Sequence, residues 1–550
     1  MTVGLKPRFG WAVSLDVGLV LLLAVLGVAI FLPKLSAVVL IDHDDVISVI
    51  SATCNQARFE ETAPVGRWVS AGDWQQFWQF HSFGCFGEIT RGLNHYDIHP
   101  PFYFWVLHIW FGLFGVSILS GLLLNLVLLT ITAGVVYATC RILSVSATVS
   151  FVVTMVWMFV LPSRMTISVL RQYTLFTALV ALLLLFVVLW LKRKQARHLF
   201  AISIVLAAGL LTHYQFPIPA GLTLLFAAAI LFRRNARTQT VQLAVAAGAA
   251  ALIFVACNPG FLESIAGARA RAQPFTLFSS LQRVGAVVST AFQIFNPFDW
   301  THPLPYGLLD IKSPLDIAIN LVNVVVGFAG LYLVASIIRR AWRIHTGPRA
   351  AVISLEYLPI FVAVASWSFV VALYILCVSP VHAIGLQYMH FVSPCLFVGI
   401  AQAAQVCRNS ISDRTVKFVA LTTVVCAIGA TTLFAVHRSE QQRIEVVHDA
   451  DTIILDSARI GILPTVLWHA DKEAMVYAVT GQEQLLADFP TVGAGHRLYY
   501  VNSLFYGNTA ENRQRILDHL AGLGYRSLVH HPSGVVPLVP LGGDIYALGQ

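Results

Sequence analysis

Two acidic motifs bracket the first long polar stretch of this chain, between Lys34 and Pro101. Asp42-His43-Asp44-Asp45 opens it, and Asp97-Ile98-His99-Pro100-Pro101-Phe102-Tyr103 closes it. A carboxylate just outside a hydrocarbon layer is costly to desolvate and makes a poor packing residue. It can, however, accept a proton. Asp44 is the first candidate for a general base acting on a hydroxyl nucleophile, with Asp45 tuning it or contacting the acceptor and Asp42 a rival for the same role. The competing interpretation is a solvated acidic cluster that caps a helix. In the second motif, Pro100-Pro101 stiffens the chain into a following helix. That would hold Asp97 and His99 near a membrane surface, where His99 either hydrogen-bonds a phosphate or rests in the interface.

Further polar groups stand at the edges of apolar runs. Arg171 and Tyr173 come first; an arginine there either snorkels to headgroups or grips a phosphate with its planar fork. Arg164 has the same choice with fewer polar neighbours. Thr212-His213-Tyr214 closes one apolar run and Gln387-Tyr388-Met389-His390 opens another. A lone histidine at a membrane edge is usually structural, so His213 and His390 are weighed as substrate contacts against that background. His108 reads as packing, and Asp16 as interfacial or helix-paired.

The elements that must position these residues are membrane helices. The chain has 550 residues, 57% of them hydrophobic and 11% charged, with a mean hydropathy of +0.75. That is an integral membrane protein. Apolar runs of spanning length are expected near 12–33, 118–141, 147–163, 172–191, 199–214, 216–232, 240–257, 315–338, 351–377, 391–407 and 418–436, about eleven in all. The first is too long for a signal-peptide core and has no cleavage site behind it, so it reads as a retained span. Pro100 to Gly115 reads as an interfacial or re-entrant helix, with Trp105, His108 and Trp110 suiting the interface. Ala71 to Phe80 reads as a second, with Trp74, Phe77 and Trp78 on one face and Asp73 as its cap.

Basic clusters orient the chain. Arg141, Lys192-Arg193-Lys194 with Arg197, Arg233-Arg234 with Arg237, Arg339-Arg340 with Arg343, and Arg408 with Arg414 and Lys417 follow successive apolar runs. Placing them inside puts the motif-bearing segments and the C-terminus outside. The expected domains are a transmembrane catalytic domain over 1–436, with its first extracytoplasmic loop at 34–117, and an extracytoplasmic α/β domain over 437–550. In the latter, strands are expected at Arg497 to Val501, Arg526 to His530 and Asp544 to Leu548, with a helix over Asn508 to Leu523.

The formal charge of +8 falls largely on short inner loops and is no nucleic-acid signal. The eight cysteines have no metal-type spacing. Cys140, Cys257, Cys377, Cys395, Cys407 and Cys426 lie in or beside apolar spans. Cys54 and Cys85 share the first polar loop, where a disulfide or two free thiols are both open readings. No Walker A loop, dinucleotide fingerprint, HExxH or serine-triad pattern occurs in a suitable context.

Several motifs resemble the GT-C glycosyltransferases of the protein O-mannosyltransferase and lipid A aminoarabinose transferase type. Asp44-Asp45-Val46-Ile47-Ser48-Val49 resembles their acidic pair after the first span. Asp97 to Tyr103, with Leu107-His108-Ile109-Trp110 and Leu113-Phe114-Gly115, is similar to their D-x-HPP-[LF]-Y…LHxW…LFG stretch. Arg171-Gln172-Tyr173 resembles their R-x-Y patch, and Thr212-His213-Tyr214 their T-H-Y. Two departures are an Asp at the second acidic position, where many relatives have Glu, and Gln387-Tyr388 where many carry Arg-Tyr.

The resemblance implies an inverting transfer of a sugar from a polyprenyl-phosphate donor to a glycan, lipid or protein acceptor outside a bacterial cytoplasmic membrane. It implies Asp44 as base and Asp45 as its partner. Asp97 and His99 would line the acceptor or phosphate side; Arg171, Tyr173, His213, Tyr214, Tyr388 and His390 would be further contacts. No obligatory cofactor is expected, and a divalent metal stays open. The rivals are a transporter or flippase of a lipid-linked sugar, which would want ionisable groups at mid-bilayer, and an inactive relative.

Overall fold

The computed structural model describes residues 9–38, 43–270, 354–376, 387–407, 452–459, 463–492, 497–502, 509–531 and 545–549, with a few isolated helical positions elsewhere. Asp42, Cys377, Cys426, most of the expected spans at 315–338 and 418–436, and the expected domain boundary near 436 lie outside the described residues.

The N-terminal part is helical: α1 (Phe9–Ser36), α2 (His43–Ala52), α3 (Gln56–Thr62), α4 (Ala71–Gln75), α5 (Phe86–Tyr96), α6 (Phe102–Phe114), α7 (Ile118–Ile142), α8 (Ala147–Phe159), α9 (Leu161–Thr166), α10 (Tyr173–Arg193), α11 (Ala196–Leu210), α12 (Pro217–Arg233), α13 (Arg237–Cys257) and α14 (Phe261–Ala270). Then come α15 (Leu358–Leu376), α16 (Gln387–His390) and α17 (Ser393–Val406). Among the described residues, five helical stretches are long and apolar enough to cross a membrane: Leu15–Ser36, Ile118–Ile142, Tyr173–Arg193, Arg237–Cys257 and Leu355–Ile375. Shorter apolar helices at Phe102–Phe114, Ala147–Phe159, Ala196–Leu210, Pro217–Arg233 and Ser393–Val406 fill in between them. The protein is a multi-pass membrane protein.

Local chemistry sets the helix starts. The Ser117 hydroxyl accepts the Ser120 N–H at the head of α7, and Ser146 accepts the Val149 N–H at the head of α8. Each satisfies one of the orphan donors of a first turn. Pro217 opens α12, where its missing N–H costs nothing. In the bundle α7 packs against α1, α8 and α10, and α10 against α11. Asp16 of α1 accepts from the Tyr137 hydroxyl at 2.6 Å and from Arg141 Nε at 3.0 Å, both on α7. Asp16 is therefore helix-paired.

The C-terminal part is α/β. Its strands are β2 (Thr452–Leu455), β3 (Met475–Ala478), β4 (Leu498–Val501), β5 (Arg526–His531) and β6 (Ile545–Gly549), with α18 (Leu463–Leu467), α19 (Gln482–Ala487) and α20 (Ala510–Gly522) between them. A further strand comes from the first polar loop. β1 (Trp68–Ser70) pairs antiparallel with β3, Trp68 opposite Tyr477 and Ser70 opposite Met475. The sheet order is β1-β3-β2-β4-β6-β5.

This docking corrects two expectations. Ser70, not Asp73, is the N-cap of α4; Asp73 closes the capping box by accepting the Ser70 N–H. Trp74, Phe77 and Trp78 do share a buried face, but that face meets protein. Trp74 and Phe77 pack on Phe59, and Trp78 stacks on Trp468 of the C-terminal domain. Gln75, also buried, donates to the Leu467 and Ala470 carbonyls at 3.0 and 2.8 Å. On α6 the half-buried indoles are also anchored to protein: Trp105 donates to the Phe86 carbonyl and Trp110 to that of Ser120.

Candidate active site

Three turns between helices converge with the start of α2. Each is tied down by backbone groups. The Asp45 carboxylate accepts the Leu170 N–H at 2.7 Å, which fixes the turn before α10. Asn125 of α7 donates to the Val169 carbonyl at 2.5 Å and faces the Tyr103 hydroxyl at 3.5 Å. The Phe102 N–H donates to the Leu211 carbonyl at 2.8 Å, joining the Pro100-Pro101 turn to the turn after α11.

Arg171 is the hub. Its side chain is only 5% exposed, so it does not snorkel. One terminal nitrogen, Nη1, donates to the Asp44 carbonyl at 3.2 Å and lies 3.4 Å from the Ser48 hydroxyl. The other, Nη2, lies 3.2 Å from His99 Nε2. Its Nε sits 3.8 Å from the Asp44 carboxylate, whose side chain is 50% exposed. The guanidinium thus clamps α2 to the Asp97–His99 turn and leaves the Asp44 carboxylate open to solvent.

Asp97 is deeply buried. Its Oδ1 accepts the Ile98 N–H at 2.7 Å and lies 2.9 Å from His99 Nδ1. Burial alone would raise its pKa, but His99, the Arg171 charge and the Ile98 N–H together hold the carboxyl well below the usual carboxylate range. Asp44 of α2 and Asp97 therefore flank one buried cation.

An aromatic wall backs this cluster. His213 stacks on Phe176 (4.7 Å between centroids, 7° between planes), and Phe176 stacks in turn on Phe391 (4.6 Å, 11°). Tyr173 meets Tyr388 edge-on at 5.5 Å. His213 Nδ1 accepts the Gln215 N–H at 3.1 Å. Burial, with the nearby His99 and Arg171, lowers the His213 imidazole to about 3, so it stays neutral.

Other expected residues stand elsewhere. Asp45 is buried and holds the Leu170 backbone. Tyr214 turns toward Asn258 and Ser264. His390 is in a separate network: Trp157 Nε1 donates to the Ser393 hydroxyl at 2.8 Å, and that hydroxyl meets His390 Nδ1 at 2.9 Å. Burial lowers His390 to about 3. Arg164 is buried, with its carbonyl accepting from Lys34 Nζ at 3.3 Å. Sequence reasoning passed over Ser48, which reaches Arg171 from one helical turn beyond Asp44, and Asn125, a mid-helix amide whose only signal was its polarity inside an apolar run.

Cys54 and Cys85 form a disulfide, their Cα atoms 6.3 Å apart. His108 sits beside it with both ring nitrogens engaged: Nδ1 at 2.8 Å from the Ala52 carbonyl and Nε2 accepting the Gly84 N–H at 3.1 Å. Phe80, Phe83 and Phe86 surround the ring. With its sulfurs bonded and its imidazole occupied, this Cys-Cys-His group does not suit a metal ion.

Residues 98–259 match the family model described as dolichyl-phosphate-mannose-protein mannosyltransferase. That segment holds the His99 turn, Arg171, Tyr173, His213 and Tyr214, while Asp44 and Asp45 precede it. No curated protein matches the chain. Among solved structures, ArnT from Cupriavidus metallidurans in the apo state aligns over 99% of this chain and 98% of its own, at 13% identity and a TM-score of 0.47. The same protein bound to undecaprenyl phosphate aligns over 96% and 98%, at 13% identity and 0.40. The arabinosyltransferase EmbB from Mycobacterium smegmatis aligns over 82% of this chain and 43% of its own, at 13% identity and 0.33. The segment similar to the dolichyl-phosphate-mannose-protein mannosyltransferase family thus carries most of the cluster just described, the His99 turn, Arg171, Tyr173 and His213.

Proposed function

We propose that this protein transfers a sugar from a polyprenyl-phosphate-linked donor to a hydroxyl of a glycan, lipid or protein acceptor, on the extracytoplasmic face of a bacterial cytoplasmic membrane. The observation that carries this reading is the half-exposed Asp44 carboxylate beside the buried Arg171. A base has to be ionised and reachable by the acceptor, and a partly solvated carboxylate next to a fixed cation meets both needs.

In this mechanism the acceptor oxygen attacks the anomeric carbon from the face opposite the phosphate. The bond between the anomeric carbon and the phosphate oxygen breaks, and the polyprenyl phosphate leaves with the electron pair. Asp44 takes the acceptor proton, and configuration inverts. Asp45 holds the turn that presents Arg171. Arg171, whose Nε makes no hydrogen bond among the described residues, serves the departing phosphate in this reading, with Tyr173, Tyr388 and His99 beside it. Arg171 also supplies a positive charge between Asp44 and Asp97, the place where a divalent ion would otherwise serve. The transfer is therefore proposed to proceed without a metal, and chelator should leave turnover unchanged. The gathering of ionisable groups in the turns between helices supports an enzyme over a transporter.

The deciding experiment is transfer from a lipid-linked donor by Asp44→Asn. The amide is nearly isosteric but cannot take the proton, so turnover should drop at least ~100-fold while the protein stays folded. Near-normal turnover in Asp44→Asn would end the assignment, and inactivity of Asp42→Asn alongside it would move the base by two residues.

A further inference from the structure

Two helices of the first loop are joined at both ends. At one end, the Cys54–Cys85 disulfide links the residue two beyond α2 to the N-cap of α5. At the other, Asp44 in the first turn of α2 and Asp97, the C-cap of α5, meet around Arg171. Arg171 Nη1 donates to the Asp44 carbonyl, and Nη2 reaches Asp97 by way of His99. α2 and α5 also touch each other. Disulfide, α2, Arg171, His99 and α5 therefore form one closed frame.

The bridged end is shaped around its sulfur. α2 stops in a Schellman arrangement: the Cys54 N–H donates to the Ser51 carbonyl and the Asn55 N–H to that of Ile50, both at 3.0 Å. The residue that turns the chain there adopts a left-handed backbone, which glycine does freely and other residues do not. Cys54 stands in that place, with φ at 65°. A side chain that the turn disfavours is held there by what its end bonds to, and here that is Cys85. His108, buried on α6, stitches the same end a second time. Its Nδ1 donates to the carbonyl of Ala52, the last residue of α2, at 2.8 Å, and its Nε2 accepts the Gly84 N–H at 3.1 Å. One nitrogen must carry a proton and the other a lone pair, so only the neutral ring serves both. The ring stands 3.9 Å from each sulfur.

We propose that the Cys54–Cys85 disulfide, with His108, is the brace that positions Asp44 and Arg171, so that the site is assembled only when the bridge is oxidised. For what the site binds, the inference rests on the donor reading above. Both cysteines are only half-buried, and residues 81–84 beside Cys85 are exposed, so a small dithiol can reach the bond. The dithiol gives up two electrons and two protons. The S–S bond breaks, each cysteine sulfur takes one electron and one proton, and the reductant closes as its own disulfide. Cys54 can then leave the left-handed region, α2 loses its anchored end, and the slack passes along its 10 residues to Asp44. Asp44, His99 and Arg171 are chemically untouched by the change. The frame closes in an oxidising compartment and stays open in a reducing one.

The test uses the full chain in lipid nanodiscs: oxidised wild type, wild type treated with dithiothreitol, the double variant Cys54→Gly with Cys85→Ala, His108→Gln and His108→Leu. Glycine suits the left-handed turn, so the double variant removes the bridge without straining the backbone. Hydrogen exchange is read over 43–52 and at the Leu170 N–H, which donates to the Asp45 carboxylate. Undecaprenyl phosphate is titrated as the probe of Arg171. Reduction and the double variant should each speed exchange at both places at least about tenfold and weaken undecaprenyl phosphate binding about tenfold, with α7 and α10 still protected. Dithiothreitol should do nothing further to the double variant. His108→Gln keeps one donor and one acceptor and should behave as oxidised wild type, whereas His108→Leu should not. Exchange that quickens only at 53–56 and 82–86 would make the bridge a local staple, and loss of protection throughout α7 and α10 would make it a general stabiliser; either overturns the proposal. Unchanged affinity in the reduced protein overturns it as well. If oxidised wild type binds no undecaprenyl phosphate, the donor reading falls, and the exchange result alone decides the brace.

Discussion

The guanidinium of Arg171 approaches the carboxylate of Asp44 to 3.8 Å, from a buried side chain to one that is half exposed. The same arginine is bonded more closely to the Asp44 backbone, at 3.2 Å, than to its carboxylate. Position and charge are thereby separated. The backbone contact fixes where α2 begins, and the long ion pair leaves the carboxylate open to solvent. A short bidentate pair would have held the carboxylate more firmly and made it a weaker base.

Arg171→Lys should cost more than its conserved charge suggests. The guanidinium reaches Asp44, Ser48 and His99 with separate nitrogens, and an ammonium is a point charge. Losing one charge-assisted hydrogen bond removes about 1.5–3 kcal/mol, a roughly tenfold to hundredfold drop in kcat/KM with a lipid-linked donor. Unchanged kinetics would remove Arg171 from the phosphate role and leave His99, 3.2 Å from it, next in line.

Acid should destabilise the protein well before ordinary carboxylates titrate. His213 is neutral when folded down to about pH 3, but an unfolded histidine takes a proton below about 6.5. The unfolded state binds more protons across that window, so stability falls as pH drops from about 6.5 toward 3, by up to about 1.4 kcal/mol per pH unit. His390 acts with the same sign. Asp97 contributes stability above the ordinary carboxylate value and loses it only below about pH 4. Thermal midpoints from pH 7 to pH 4 should therefore slope downward, and His213→Gln should flatten part of that slope.

Reporter fusions after Gly92 and after Gln550 should both read the extracytoplasmic side. The basic clusters argue for that face, and pairing of Trp68–Ser70 with Met475–Tyr477 requires the first loop and the C-terminal domain to share one. Opposite readings from the two fusions would break this topology.

Gln75→Leu should loosen the C-terminal domain. The substitution strips the Leu467 and Ala470 carbonyls of their buried donor, at about 1–3 kcal/mol. Faster limited proteolysis within 452–549 is the expected readout, and an unaltered cleavage rate would show that Trp78 and β1 suffice to hold the domain.

Much of this architecture was legible because hydrophobicity writes it plainly. The sequence-derived spans at 118–141, 172–191 and 216–232 fall within a residue or two of α7, α10 and α12. Polar residues at their ends marked Arg171, His213 and the Asp97–His99 turn as neighbours in kind. Their meeting around one guanidinium was not legible, because it depends on how helix ends far apart in sequence are tied together, as by Asp45 to Leu170. The first loop misled for a similar reason. Trp74, Phe77 and Trp78 carry the pattern of a helix seeking an apolar surface, and that pattern is the same whether the surface is lipid or Trp468. β1 is three residues long, and β2 and β3 are four each, too short for alternation to stand out from loop.

The pairing of β1 with β3 also sets an order of events. The two strands lie about 400 residues apart. At synthesis rates of about 5–20 residues per second, the first loop waits roughly 20–80 seconds for its partner strand to be made. Until then Gln75 and the aromatic face of Trp74, Phe77 and Trp78 have no C-terminal surface to close on. Closing so long a loop is entropically slow. The helix bearing Asp44 is built first, and its surroundings are completed last, so a chain cut short before the C-terminal domain would carry the Asp44–Arg171 cluster without the framework around it.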